Sequence, residues 1–344
     1  MSLAEASAEY LPWIEAELRA VVSSADPALA GHYGIMQYHM GWLDEELRPA
    51  AAPTGKRLRP LLCLLACAAA GGDPRQAVPA AAGLELLHNF SLIHDDIEDH
   101  SLTRRHRPTA WKLFGLALAC NAGDGMFGLA HLAFHRLAQQ GVPAPIVLAA
   151  LHILDQTCVA LTEGQYLDLY FESRPSVTAE EYFAMIAGKT AALLAAAPQI
   201  GALIAGAPAA AVEAYRQYGA ALGRAFQLQD DILGIWGDEA VTGKSAASDI
   251  LSRKKSLPVV YTLSHPTAGP TLARLYADPL LGEADVPRVL ALLEEAGARG
   301  YVEGLVQSAL HEARQALELV RPAAVAPAYA ALRELLDTLA GRVQ

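Results

Sequence analysis

The sequence predicts an all-α fold, a single-domain helical bundle over residues 1–344, and three observations carry that reading. Alanine and leucine, both strong helix formers, dominate. Runs of β-branched residues bounded by turn signals are scarce, so no convincing strand emerges. The breaks between apolar segments are short and evenly spread, with neither a low-complexity linker nor a fixed-period repeat. In chain order, an N-terminal helix within residues 1–30 ends near Ala25-Asp26-Pro27. Pro49 to Gly55 precedes the apolar helix LLCLLACAAA, and Gly71 to Pro74 separates it from the helix ending in HDDIEDH. Further breaks fall at Gly141 to Pro145, Ser173 to Val177, Gly237 to Ser248 and Pro266 to Pro270. Thr178-Ala179-Glu180-Glu181 is a capping box that opens a helix after the fifth of these breaks. The segment LHEARQALELV near the C-terminus is amphipathic and faces solvent.

Composition narrows the function classes. Apolar residues make up 53% of the chain and charged residues 18%, enough for a large core and too apolar for disorder. The formal net charge of -11 argues against nucleic acid as a partner. Binding an anion then requires clustered Lys and Arg, or divalent metals held by carboxylates. None of the four cysteines forms a CxxC pair, and Cys63 and Cys67 read as buried core thiols rather than disulfide or zinc positions. The N-terminus lacks the basic-then-apolar order of a secretory signal. No uninterrupted apolar run reaches the roughly 18 residues of a membrane span. The nearest approach, Ala187 to Ala207, is interrupted by Lys189, Pro198 and Gln199. A cytoplasmic protein without a membrane span is the expectation.

Two acidic clusters point to metal chemistry. Asp95-Asp96-Ile97-Glu98-Asp99 ends an apolar helix, and Asp95 and Asp99, four apart, stack on one helical face where they can chelate together. Carboxylate oxygens are the ligands magnesium prefers. A lone acidic run is most simply a solvated face. Four acids at the end of a helix containing Leu84, Leu87, Phe90 and Leu92-Ile93, however, repel one another unless cations sit there. Asp230-Asp231 closes a second apolar helical run, GRAFQLQDDILGIW, about 135 residues later. Two such helices in one bundle can face each other across a cavity.

The basic residues form a matching set. Gly55-Lys56-Arg57-Leu58-Arg59-Pro60 opens a helix, with Lys56 and Arg59 three apart on one face. Arg104-Arg105-His106-Arg107 follows the first acidic cluster, and Lys189-Thr190, Lys244 and Lys254-Lys255 follow further on. Arg grips diphosphates through paired hydrogen bonds. Any one of these residues has an ordinary reading as a helix cap or an ion-pair partner.

Taken in order, these motifs resemble the trans-isoprenyl diphosphate synthase (polyprenyl synthetase) family from about Gly31 to the C-terminus. The resemblance implies an isoprenoid synthase fold with a central apolar cavity, three magnesium ions per active site, and head-to-tail condensation of isopentenyl diphosphate with an allylic prenyl diphosphate. GKRLRP assigns Lys56 and Arg59 to isopentenyl diphosphate, and HNFSLIHDDIED assigns His88 to that substrate and Asp95, Asp96 and Asp99 to metal. RRHRPT places Arg104 on the allylic diphosphate and Arg105 on isopentenyl diphosphate. EGQYLDL places Gln165 near the metal-bound allylic site, and GKT supplies Lys189 and Thr190. FQLQDD supplies Gln227, Asp230 and Asp231, with Asp230 as the direct metal contact, followed by Lys244 and Lys254. Thr190 and Gln227 offer dipoles to an allylic cation. Phe90, five residues before Asp95 with Ser91 beside it, sets a short product-length floor and implies geranylgeranyl diphosphate, with farnesyl or another chain length as alternatives. The family also implies a homodimer.

Two departures stand out. Gly234 replaces the last aspartate of the second motif, for which Asp238 is a substitute through water if the helix continues, and Thr54 replaces a glycine before GKR. A terpene cyclase would need an N-D-x-x-S-x-x-x-E motif, which is absent. A non-catalytic partner subunit tends to lose acidic-motif residues, as at Gly234, but the first motif is intact. His131 and His135 lack a third ligand in sequence and read as structural, Asp124 as a helix-start anchor, and Trp42, Trp111 and Trp236 as core or interface.

Overall fold

The computed structural model describes residues 2–237, 248–321 and 326–340. Helices account for nearly all regular structure, as the sequence predicts. The first is α1 (Leu3–Val21), opened by a capping box between Ser2 and Glu5. It ends earlier than expected, and Asp26 caps a short 3₁₀ turn before α2 (Ala30–His39). Then follow α3 (Leu58–Ala69), α4 (Pro74–Glu98), α5 (Ala110–Phe114), α6 (Leu116–His135), α7 (Ala144–Glu172), α8 (Ala179–Ile186), α9 (Ala192–Ile204) and α10 (Ala209–Trp236). After residues 238–247 come α11 (Ser248–Leu251), α12 (Leu257–Leu263), α13 (Gly269–Ala277), α14 (Val286–Glu295), α15 (Ala298–Glu318) and α16 (Pro327–Ala340). The capping box at α8 is present, with Thr178 and Glu181 satisfying each other's backbone N–H groups.

Contacts divide the chain into two compact units. The first comprises Met1–Gln156, Ala196–Arg216 and Val320–Glu334, and the second Thr157–Ala195, Gln217–Leu319 and Leu335–Gln344. The division falls inside the continuous helices α7, α9, α10 and α16.

In the first unit, α4 packs on α1, α3 and α6. A Cβ on Gly83 of α4 would lie 2.5 Å from the Phe134 ring and 2.8 Å from the Ala130 carbonyl of α6, so only glycine permits this approach. Cys63 and Cys67 are buried free thiols of α3, as expected, and burial pushes Cys67 up to about 12. In the second unit, Ile235, Ile250, Val259, Leu272, Val289 and Leu293 gather into one apolar cluster.

Two helical stretches are long and apolar enough to cross a membrane by length and composition: Ala144–Glu172 and Ala179–Ile204. Averaged hydropathy tolerates the isolated polar residues that interrupt the apolar runs, which is why counting runs missed them. The window in Ala179–Ile204 is 67% buried and behaves as a core helix, whereas that in α7 is 33% buried. Leu148, Val159 and Tyr166 of α7, like Leu116 and Leu132 of α6, are exposed. Asp124 lies in the middle of α6 rather than at a helix start, 3.6 Å from His94 Nε2. His131 is structural, its Nε2 2.9 Å from Asp155 Oδ1.

Candidate active site

In the first unit the site is organised by the end of α4. This one helix carries His88, Phe90, Ser91, Asp95 and Asp96, and Asp99 is its C-cap. Asp99 is exposed and Asp95 half-buried. Asp96 is 1% exposed and accepts from Arg104 Nε at 2.8 and 3.0 Å. Burial pushes its carboxyl up to about 6 against the opposing pull of Arg104.

The arginine motif folds into a small hairpin that the sequence did not announce. Thr103–Arg104 pairs antiparallel with Arg107–Pro108, and Arg105 and His106 at the tip have positive φ. That turn lays the Arg105 guanidinium over Gly55, where a Cβ would lie 3.0 Å from Nη2. Gly55 and Arg57 both have positive φ, so α3 begins at Leu58 and Lys56 sits in the preceding loop. The expectation that Lys56 and Arg59 share a helical face is therefore corrected, because the left-handed Arg57 is the N-cap and the helix begins only after it. Arg57 is buried and donates to Glu85 and Glu15, each at 2.8 Å, which anchors the loop to α4 and α1. Asn89 in turn donates to Glu85 at 3.0 Å.

Burial, reinforced by Arg59, Arg105 and Arg104, holds His88 well below its ordinary pKa, so its imidazole is neutral. The Phe90 ring stands 5.2 Å from Phe127 and 4.8 Å from His94. Ser91 Oγ folds back to its own helix, donating to the His88 carbonyl at 2.8 Å.

The second unit gathers the remaining residues. Asp230 is exposed, whereas Asp231 is 1% exposed and fully engaged. Asp231 accepts from Tyr182 Oη at 2.6 Å, the Leu257 N–H at 2.7 Å and Gln227 Nε2 at 3.0 Å. Burial pushes Asp231 up to about 6, opposed first by Lys254. Thr190 Oγ1 donates to Gln227 Oε1 at 2.6 Å, which fixes both side chains. Burial disfavours the charge on Lys254, yet Asp168, Asp249, Asp231 and Asp230 together hold its pKa above the ordinary lysine range. Lys189 pairs with Asp168.

Lys189 and Thr190 lie on a π-helical turn, Ala187–Ala191, between α8 and α9. Single π turns inside helices recur at functional sites. Gly164 and Gly188 let this turn meet α7 backbone to backbone: a Cβ on Gly164 would collide with Lys189 N, and one on Gly188 with the Ala160 carbonyl. Gln165, next to Gly164, is buried. The Asp249 carboxylate stands against Gly234, in the space a side chain there would enter. Lys244 and Asp238 lie outside the described residues.

Sequence reading missed Asp168, Asp249, Arg57 and Tyr182. Asp168 was within reach, three residues beyond Gln165 in the EGQYLDL motif. Asp249 was not, since its proximity to Gly234 exists only in the fold. Asp95 and Asp99 in the first unit, and Asp230 in the second, carry hard carboxylate oxygens, the ligand type that suits magnesium. Each unit also carries cationic side chains suited to phosphate oxygens, Arg104 and Arg105 in the first, Lys189 and Lys254 in the second.

Comparison with known proteins agrees with this chemistry. Residues 40–293 match the family model for polyprenyl synthetase. A (2E,6E)-farnesyl diphosphate synthase of Mycobacterium tuberculosis is 42% identical over 287 residues, 82% of this chain and 78% of the relative. A geranylgeranyl diphosphate synthase of the same organism is 40% identical over 321 residues, 92% of this chain and 88% of the relative. Among solved structures, a polyprenyl synthetase from Streptomyces coelicolor superposes with a TM-score of 0.86 at 36% identity, covering 94% of this chain and 96% of the other. The chain belongs to the polyprenyl synthetase family and is a prenyltransferase.

Proposed function

We propose that this prenyltransferase condenses isopentenyl diphosphate head-to-tail with an allylic diphosphate, using magnesium, and that geranylgeranyl diphosphate is its main product. The observation that carries the reading is the sorting of charged groups: aspartates at the end of α4 and in the last two turns of α10, accompanied by guanidinium, imidazole and ammonium donors. The relatives' printed activities, farnesyl and geranylgeranyl diphosphate synthesis, support it.

In this proposal Asp95, Asp99 and Asp230 hold magnesium, three ions in all. When bound, these ions neutralise the allylic diphosphate and make it a leaving group. Asp96 and Asp231 act as positioning residues, because each is buried and committed to protein donors. Asp96 aims Arg104 at the allylic diphosphate, toward which Gln165, Lys189, Lys244 and Lys254 also contribute. Lys56, Arg59, His88 and Arg105 take isopentenyl diphosphate. The Thr190–Gln227 pair presents a fixed dipole to the allylic cation left when diphosphate departs. Asp249 supplies the acidic group that Gly234 lacks. Apolar side chains keep water from the cation. A second copy of the chain covers the exposed leucines of α6 and α7, giving a homodimer.

Phe90, backed by Phe127, sets the product length. The test is incubation with magnesium, dimethylallyl diphosphate and isopentenyl diphosphate, followed by chromatography of the products. Twenty-carbon product is expected from the wild type, longer product from Phe90→Ala, and longer still when Phe127→Ala is added. An unchanged profile in both variants removes the floor from this place, and no turnover by the wild type removes the proposed reaction.

A further inference from the structure

The nitrogen-rich corner of the first unit holds one group that no motif accounts for. His39 is the last residue of α2, and its Nε2 is buried with no hydrogen-bond partner among the described residues. It lines a hollow of about 20 Å³ together with Asp96, Arg104 and Arg105, which is room for a water-sized polar group rather than a hydrocarbon chain. Arg105 Nη1 and Arg57 Nη2 are likewise buried without acceptors. Arg57 is nevertheless neutralised by Glu85 and Glu15, and Arg104 by Asp96. Arg105 has no ion-pair partner among the described residues. Against these donors stands one buried acceptor without a partner, Asn89 Oδ1, so buried donors still outnumber acceptors, the condition that an incoming polyoxyanion relieves.

The position of His39 is fixed, not incidental. Its neighbour Tyr38 donates through Oη to the Pro108 carbonyl at 2.7 Å, and the Arg107 guanidinium lies 4.1 Å from the Tyr38 ring centroid. Arg107 also donates to the Leu43 carbonyl at 2.7 Å. These contacts clamp the end of α2 to the hairpin that carries Arg104 and Arg105. We infer that His39 is a further binding residue of the isopentenyl diphosphate site, where its Nε2–H donates to a diphosphate oxygen beside Arg105. Burial and the charges of Arg105, Arg104 and Arg57, opposed by a contact with Asn89, keep the imidazole neutral before that anion arrives.

This inference rests on the substrate reading proposed above, and one experiment separates the two. Isopentenyl diphosphate is titrated calorimetrically into the full-length wild type, His39→Ala and His39→Gln in magnesium-free buffer, with steady-state kinetics run alongside. His39→Ala should weaken isopentenyl diphosphate binding and raise its KM by about 10-fold. Its kcat and its KM for the allylic substrate should stay within about 2-fold. His39→Gln, which keeps an N–H donor, should recover most of the loss and also covers the case in which the alanine variant does not fold. Wild-type binding with unchanged affinity in a folded His39→Ala overturns the role of His39 alone. Equal losses in kcat and in both KM values reduce His39 to packing. A wild type that does not bind isopentenyl diphosphate overturns the substrate reading and His39 with it.

Discussion

The candidate residues of the first unit and those of the second differ in their balance of charge. In the first unit, Arg57, Arg59, Arg104, Arg105 and the neutral imidazoles of His39 and His88 gather with two buried carboxylates, Asp96 and Glu85, and several buried nitrogens lack acceptors. In the second unit, four carboxylates, Asp168, Asp230, Asp231 and Asp249, surround Lys254, and Lys189 is already paired with Asp168. One half is short of anions and the other of cations. A diphosphate answers the first need, and a divalent metal the second. Within each adjacent aspartate pair one carboxylate is the more exposed, and its neighbour is buried and held by protein donors. Paired aspartates in a motif are thus not two copies of one function.

The largest effect expected from breaking this comparison is at the more exposed members. Asp95→Ala and Asp230→Ala should each lower kcat by on the order of 1,000-fold or more, the scale of removing a main electrostatic contributor, while the circular-dichroism spectrum is unchanged. Replacing the buried neighbours should register first as stability, since Asp231→Ala strands Tyr182, Leu257 and Gln227.

Next in size is Lys254→Met. It leaves four carboxylates without their shared cation and should destabilise the protein by about 3 kcal/mol in thermal or urea unfolding. Millimolar magnesium should recover part of that loss, and failure to do so would mean that the second half has no appetite for cations. Gly234→Asp should not act as a repair. Its side chain enters the space of the Asp249 carboxylate, so catalytic efficiency should fall by roughly 10-fold, with Asp249→Gly relieving the defect in the double variant. A gain of activity in the single variant would dismiss Asp249 as the substitute acid. The smallest effect concerns α3. With burial pushing Cys67 up to about 12, and Cys63 also raised, neither thiol should react with a thiol reagent at pH 8 in the native protein, and both should react once it is unfolded.

Much of this was legible in the sequence, and the remainder was hidden for physical reasons. Helix type, the breaks and the Thr178–Glu181 capping box follow from local composition, which acts over a few residues. The order of the motifs disclosed the family and with it the prenyltransferase activity. Backbone turns were less accessible. The left-handed Arg57, the hairpin tip at Arg105 and the π turn under Lys189 adopt conformations that tertiary contacts impose on residues with no special preference for them. Burial was hidden too. Nothing in Asp95-Asp96 tells which carboxylate turns inward until Arg104 closes over one of them. His39 and Asp249 were silent because their meaning lies in neighbours distant along the chain.

The most direct test of the opposed charge demands is to titrate each substrate with and without metal. Wild-type protein is mixed by calorimetry with isopentenyl diphosphate and, separately, with an unreactive thio-analogue of an allylic diphosphate, first in a chelator and then in magnesium. The sorting of donors predicts that isopentenyl diphosphate binds in the chelator with nearly the same affinity as in magnesium, and that the allylic analogue binds only when magnesium is present. Allylic binding that ignores the chelator, or isopentenyl diphosphate binding that vanishes in it, would contradict the division of labour between the two halves.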